Sequence, residues 1–347
     1  MVAAESEVTP PSARLPGEGC ARRTRRGRSA PLPVRDGLNP SRVRTGDEPM
    51  RAGDVLLHVI STQRRRHPHD GPEAIAARFA RGEVRLRDGR PLAPDDLLDP
   101  GTDLWFYRMP APETPVPGRC EVIFQDDSIM VISKPAFLAT MPRGAHITES
   151  VVVKLRSRLD EPELAPAHRL DRLTSGLLLL TRRREVRGAY QELFASRTVT
   201  KTYCAIAPLL DAPRLPLHWT EPLRKTRGDL AARIDEQGAA CHTEVADCAA
   251  LPAPVCRGLT ARYGLDPGIR LGSYTLLPHT GRTHQLRAHM SAHGVPILGD
   301  PLYPVVHDDA PDDFTRPLLL HAESLSFRDP ISGTMRSFTA TPEWAVS

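Results

Sequence analysis

The chain has 347 residues with 46 basic and 42 acidic side chains, a formal charge of +4, and a length that allows one large domain plus a smaller module and a tail. Its longest aliphatic run, Leu177 to Leu180, is too short to cross a bilayer, and the first thirty residues lack a secretory apolar core, so a soluble cytoplasmic protein without membrane contact is expected. Cys20, Cys120, Cys204, Cys241, Cys248 and Cys256 form no CxxC pair and no compact framework, which points to reduced thiols rather than disulfides. Residues 1–48 are rich in Pro, Ser, Gly and Arg and bury too little apolar surface to offset the entropy of ordering, so a disordered basic tail is expected there. Within it RRTRRGR, residues 22–28, is either a non-specific phosphate contact or a solvated segment.

From residue 49 to 112 the pattern changes to that of a small module. AGDVLLHVI and PEAIAARFARG have helical spacing, VRLRDGRPL reads as a strand and turn, and GTDLWFYR as a strand ending in aromatics. APETPVPGR, residues 111–119, reads as a proline-stiffened linker. The large domain, residues 113–347, opens with a strand hairpin in CEVIFQDDSIMVISKP. SVVVKLRSRL, with Thr148 to Ser150 as candidate caps, and EVRGAYQELFASR, with Ala189 and Leu193 on one face, read as helices. TSGLLLLT, KTYCAIA, CHTEVADCAA, SYTLLPH and LLLHAESLSF read as strands. Strands outnumber helices and do not alternate with them, so an α+β domain on a mixed, largely antiparallel central sheet is expected.

HRLDRLTSG, residues 168–176, sets Asp171 between Arg169 and Arg172, just before an apolar strand. Such flanking keeps a carboxylate ionised beside a surface suited to phosphate. Of the basic residues only Lys134, Lys154, Lys201 and Lys225 are lysines, and guanidinium groups favour forked phosphate contacts and base stacking, although coding bias accounts for much of the count. HRLDRLTSG followed by LLLLTR resembles the active-site signature of the RluA-type pseudouridine synthases. VTKTYCAIA, residues 199–207, and LLPHTGRTHQLRAHMSAHGVPILGDPLYP, residues 276–304, are similar to the family's second and third motifs. Three blocks in order are far more specific than HRLD alone. The resemblance implies the pseudouridine synthase fold and isomerisation of uridine in structured RNA, ribosomal or transfer. Residues 49–112 loosely resemble an S4-type RNA-binding module, with a packing cap that touches no RNA as the even alternative.

Breaking the C1′–N1 bond, turning the uracil and rejoining it through C5 needs a nucleophile, an acceptor for the C5 proton and a pocket that excludes water. The resemblance makes Asp171 the nucleophile, at C1′ or C6, and Arg287 the cation that keeps it charged in a dry pocket. Tyr203 matches the tyrosine that stacks on the base and takes part in proton removal, although a phenol near pKa ~10 is a poor base unless the site tunes it. Arg169 matches the arginine that enters the duplex where the target leaves, offsetting a few kcal/mol of unstacking. His168 and Arg172 are expected on the RNA backbone or as loop braces, and Lys201 as a salt-bridge or phosphate partner. Arg282, Thr283, His284 and Gln285 are expected in an RNA-facing turn that Gln285 fixes. Thr174, Ser175 and Gly176 set the turn that aims Asp171.

His279, His284, His289 and His293 recur at four- or five-residue intervals, which raises a metal site and with it a hydrolase. Two arginines interleave them, so no metal is expected, and an isomerisation needs no nucleotide cofactor. The remaining alternative is a catalytically inactive RNA-binding protein on the same fold, which the joint presence of Asp171, Tyr203 and Arg287 opposes. A monomer with RNA as its partner is the expectation.

Overall fold

In the computed structural model, residues 30–307, 311–342 and 344 are described. The small module contains β1 (Ser41–Arg44), β2 (Met50–Arg51), α1 (Ala52–Ser61), α2 (Pro72–Ala80), β3 (Val84–Leu86), β4 (Leu97–Leu98) and β5 (Asp103–Phe106). In α1 the apolar positions Ala52, Val55, Leu56 and Ile60 make one stripe, and Pro72 starts α2 where a missing N–H is no loss. Both helices pack with Val84, Leu104 and Phe106 into a core of their own over the antiparallel sheet β1-β5-β3.

The tail expected through residue 48 is corrected by this sheet. All four residues of β1 pair with β5, Leu32 is buried with Trp105 and Tyr107, and the Tyr107 hydroxyl donates to Pro33 O at 3.0 Å. Local composition missed this because the buried surface is supplied by a partner some sixty residues on. RRTRRGR, residues 22–28, lies outside the described residues.

The linker is fastened to the large domain. The Glu113 carboxylate accepts N–H bonds from Ile147, Thr148 and Glu149 at 2.9, 2.8 and 3.1 Å, and Val116 is buried. Beyond it come β6 (Glu121–Gln125), β7 (Ile129–Lys134), α3 (Val151–Leu159), β8 (Ala165–Pro166), β9 (Ser175–Thr181), α4 (Arg184–Ala195) and β10 (Thr200–Pro208). They are followed by β11 (Leu217–Trp219), β12 (Leu223–Arg224), β13 (Arg233–Ile234), β14 (Thr243–Ala250), α5 (Ala253–Tyr263), β15 (Leu271–Pro278), α6 (Gln285–Ala292), β16 (Leu320–Arg328) and β17 (Met335–Thr339). The caps expected for α3 are also corrected. Ser150 holds the cap position without a side-chain bond to the helix, its hydroxyl donating back to Ile147 O at 3.0 Å.

The ten-stranded sheet runs β11-β14-β15-β10-β16-β9-β7-β6, with β17 on β16 and β8 on β9. Its one parallel pair is β9 with β16, so the expected mixed, largely antiparallel sheet is what forms. The run Leu177 to Leu180 is buried on both sides. Leu178 and Leu180 pack with Met130, Ile132 and α3, whereas Leu177 and Leu179 pack with Ile129, Val131 and the α4 residues Val186 and Tyr190. Two covered faces explain an aliphatic strand without polar alternation.

Candidate active site

The loop that enters β9 is tied down at several points. Thr140 Oγ1 donates to Leu170 O at 2.8 Å and accepts the Leu170 N–H at 3.2 Å. The buried Lys134 ammonium donates to Pro135 O, Leu138 O and Arg172 O at 2.8, 2.8 and 3.1 Å. Thr174 N–H closes a turn on Asp171 O at 3.1 Å. The turn runs into Gly176, whose φ of +106° suits glycine, and a Cβ there would stand 2.5 Å from the Ala322 amide nitrogen.

His168 and Arg172, expected at the RNA or as braces, are both engaged with protein. His168 Nε2 accepts the Leu179 N–H at 3.1 Å and its ring stacks on Phe194 with centroids 4.2 Å apart. Burial pulls this imidazole down to about 3, which leaves it neutral and fit to accept. Arg172 forks onto Asp312 at 2.7 and 2.8 Å. Arg169 stays exposed at the mouth of a cleft of about 270 Å³.

Asp171 faces into that cleft together with Tyr203, His284 and Arg287. Sheet register places Tyr203: Gly176 lies opposite Ala322, and Ala322 lies opposite Tyr203. The tyrosine is therefore two strands, roughly 10 Å, from the head of β9, across two residues too small to fill the space. Burial, and secondarily the charge of Asp171, hold its phenol well above the ordinary tyrosine value. The buried phenol therefore keeps its O–H at neutral pH.

Arg287, buried on α6, forks onto the fully buried Asp300 through Nε at 2.7 Å and Nη2 at 2.6 Å. Its remaining nitrogen, Nη1, stands 3.9 Å from Asp171 Oδ2. The expected pairing of Asp171 with Arg287 is thus loosened to a through-space contact, because a second carboxylate holds the fork. His284 Nε2 also lies 3.9 Å from Asp171 Oδ2, and burial pulls His284 down to about 4 against the opposing pull of that carboxylate.

Gln285, expected to face RNA, is buried and fully used. Its Oε1 accepts from Thr280 Oγ1 at 2.6 Å and from Arg282 N–H at 3.2 Å, while Nε2 donates to His242 O and Thr243 Oγ1 at 2.9 and 3.0 Å. It fixes the turn and leaves Arg282 and Thr283 exposed. The spaced histidines disperse: His279 bonds Glu244, His289 lies between Thr243 and Glu221 O, and His293 bonds Glu221 Oε1 while stacked on Trp219. Lys201 lines the cleft beside Arg197, a residue that sequence reasoning passed over along with Asp300 and Tyr303. Asp300 carried a signal, since it stands inside the third block.

The sequence model of the RNA pseudouridylate synthase family matches residues 128–292. The chain is 33% identical over 219 residues to tRNA pseudouridine synthase C of Pasteurella multocida, covering 61% of this chain and 87% of that protein. It is 31% identical over 226 residues to the dual-specificity RNA pseudouridine synthase RluA of Vibrio vulnificus, covering 62% and 81%. Among solved structures, human RNA pseudouridylate synthase domain containing 1 superposes with a TM-score of 0.51 at 23% identity, over 66% of this chain and 86% of that one, a likeness of fold.

Proposed function

This chain belongs to the RluA-type RNA pseudouridine synthases, isomerases that convert uridine to pseudouridine in RNA, and on that premise we propose that Asp171 is its nucleophile and that its substrate is a structured transfer or ribosomal RNA. The observation that carries the reading is the Asp171 carboxylate, projecting from a fastened loop into a cleft walled by Tyr203 and the buried Arg287. Asp171 attacks the extruded nucleoside at C1′ or C6. The C1′–N1 bond breaks, the uracil turns, C5 bonds to C1′, the bond to Asp171 breaks and returns the carboxylate, the C5 proton leaves, and N1 gains one. Arg287 stabilises the carboxylate where water is excluded, and Tyr203 offers its ring to the uracil. Arg169, exposed at the mouth, takes the place the target base leaves in the helix.

Release of tritium from C5-labelled uridine, in RNA from cells lacking this protein, tests the assignment directly. Asp171→Asn should release none while binding the same RNA with unchanged affinity, because the amide keeps the shape and loses the nucleophile. Release near the wild-type rate would remove Asp171 from the mechanism.

A further inference from the structure

Arg197 and Lys201 both line the cleft, and both line the adjoining recess of about 140 Å³, which shares Phe194 and Pro278 with it. Among the described residues neither makes an ion pair with a carboxylate. Burial, and secondarily the charge of Arg197, disfavours the charged form of Lys201, and both side chains stand on the wall of the same pocket. Like charges held together beside a pocket are stabilised by an anion placed between them.

Local folding gives no reason for the Arg197 side chain. It directly follows Ser196, the C-cap of α4, and its φ is +60°. Glycine is the residue favoured at this left-handed position past a helix end, and a side chain there is held at some conformational cost. On the cleft side of Lys201 stands the 280–282 turn, since Thr280, Gly281 and Arg282 line the cleft and a Cβ on Gly281 would lie 4.0 Å from Lys201 Nζ. A guanidinium, an ammonium and a bare backbone turn converge on a space the proposed reaction leaves unused.

We propose that Arg197 and Lys201 together grip one phosphodiester of the RNA strand, adjacent to the extruded uridine, and so set which nucleotide reaches Asp171. This rests on the reading of the cleft as the pseudouridine synthase site. Arg197 is a positioning residue, one the motifs do not mark.

The test uses the full chain carrying Arg197→Gly or Lys201→Met, with C5-tritiated RNA from cells lacking this protein. Glycine suits the left-handed backbone, so Arg197→Gly should melt at or above the wild-type temperature, which separates lost binding from lost folding. Each variant should raise KM about tenfold, the loss of one charge-assisted contact, with kcat held within about twofold. The slope of log Kd against log salt should fall by about one. Unchanged KM and salt slope in both variants, or a loss confined to kcat, overturns the proposal. A wild-type protein that releases no tritium would instead indict the assigned reaction, and the salt slope on the same RNA would still decide whether a phosphate is gripped.

Discussion

Two carboxylates compete for the Arg287 guanidinium, and the competition shapes the chemistry proposed for Asp171. Asp300 holds two of its nitrogens at 2.7 and 2.6 Å, and Leu302 N–H donates to the same carboxylate at 2.9 Å. Asp171 meets the third nitrogen at 3.9 Å. Asp300 therefore orients the arginine without using up its face toward the cleft, and partly neutralises the field Asp171 feels. Both members of the Arg287–Asp300 pair are buried, so Asp300→Asn leaves the buried cation with only the looser 3.9 Å contact to Asp171, at a cost toward the lower end of about 3–5 kcal/mol. Thermal unfolding should show a clear drop in Tm, with kcat falling as Arg287 turns toward Asp171; an unchanged Tm would mean that water already compensates the guanidinium. That Asp171, Tyr203 and Arg287 meet in one cleft was legible in the sequence because each sits in a block that resembles a family motif. Asp300 was not read as a partner because a buried fork depends on the path of the chain after α6, which no spacing encodes. Arg197 was hidden for another reason: its left-handed backbone shows only once α4 is seen to end two residues earlier, at Ala195.

At the scale of elements, the start of β9 couples the loop of Asp171 to the row that carries Tyr203. Gly176, Ala322 and Tyr203 lie side by side on β9, β16 and β10. Adding one methyl at Gly176 places carbon 2.5 Å from the Ala322 nitrogen and 2.8 Å from its carbonyl carbon, both backbone atoms that cannot swing away. The φ of +106° strains any L side chain as well. Gly176→Ala should therefore cost about 2–3 kcal/mol, by the backbone-strain range for a disfavoured conformation, and lower kcat more than tenfold by moving the Asp171 turn relative to Tyr203. Denaturant unfolding and tritium release check the two halves; wild-type values in both would mean that β9 and β16 separate freely. Most elements could be read from pattern alone, since the hairpin 120–135, both helices of the small module and the run Leu177 to Leu180 each carry a local signature. The strand order could not, because the pairing of β10 with β16, and of β16 with β9, joins segments more than a hundred residues apart. The same limit hid β1, whose partner β5 lies across the whole small module.

At the scale of the whole molecule, neutral imidazoles hold distant parts of the chain together. His168 ties its loop to β9 and α4, and His284 lies between Asp171 and Tyr303. His321 Nε2–H donates to Ala340 O at 3.1 Å while Nδ1 accepts from Ser175 Oγ at 2.9 Å, joining β9, β16 and the segment after β17. Burial pulls these three down to about 3, 4 and 4. An unfolded chain binds a proton at each near pH ~6.5, whereas the native state refuses them until much lower pH. Above 6.5 neither state carries the protons and these groups leave stability independent of pH. As pH falls below 6.5 the unfolded state gains up to three protons that the native state lacks, so stability decreases with each step down. Between about pH 6.5 and 5, above the range in which most carboxylates titrate, Tm should fall steadily, and unfolding monitored with a pH indicator should take up protons in the same window. A flat Tm across that interval would mean these imidazoles are protonated in the native protein, and His168 would then lose its role as acceptor for the Leu179 N–H.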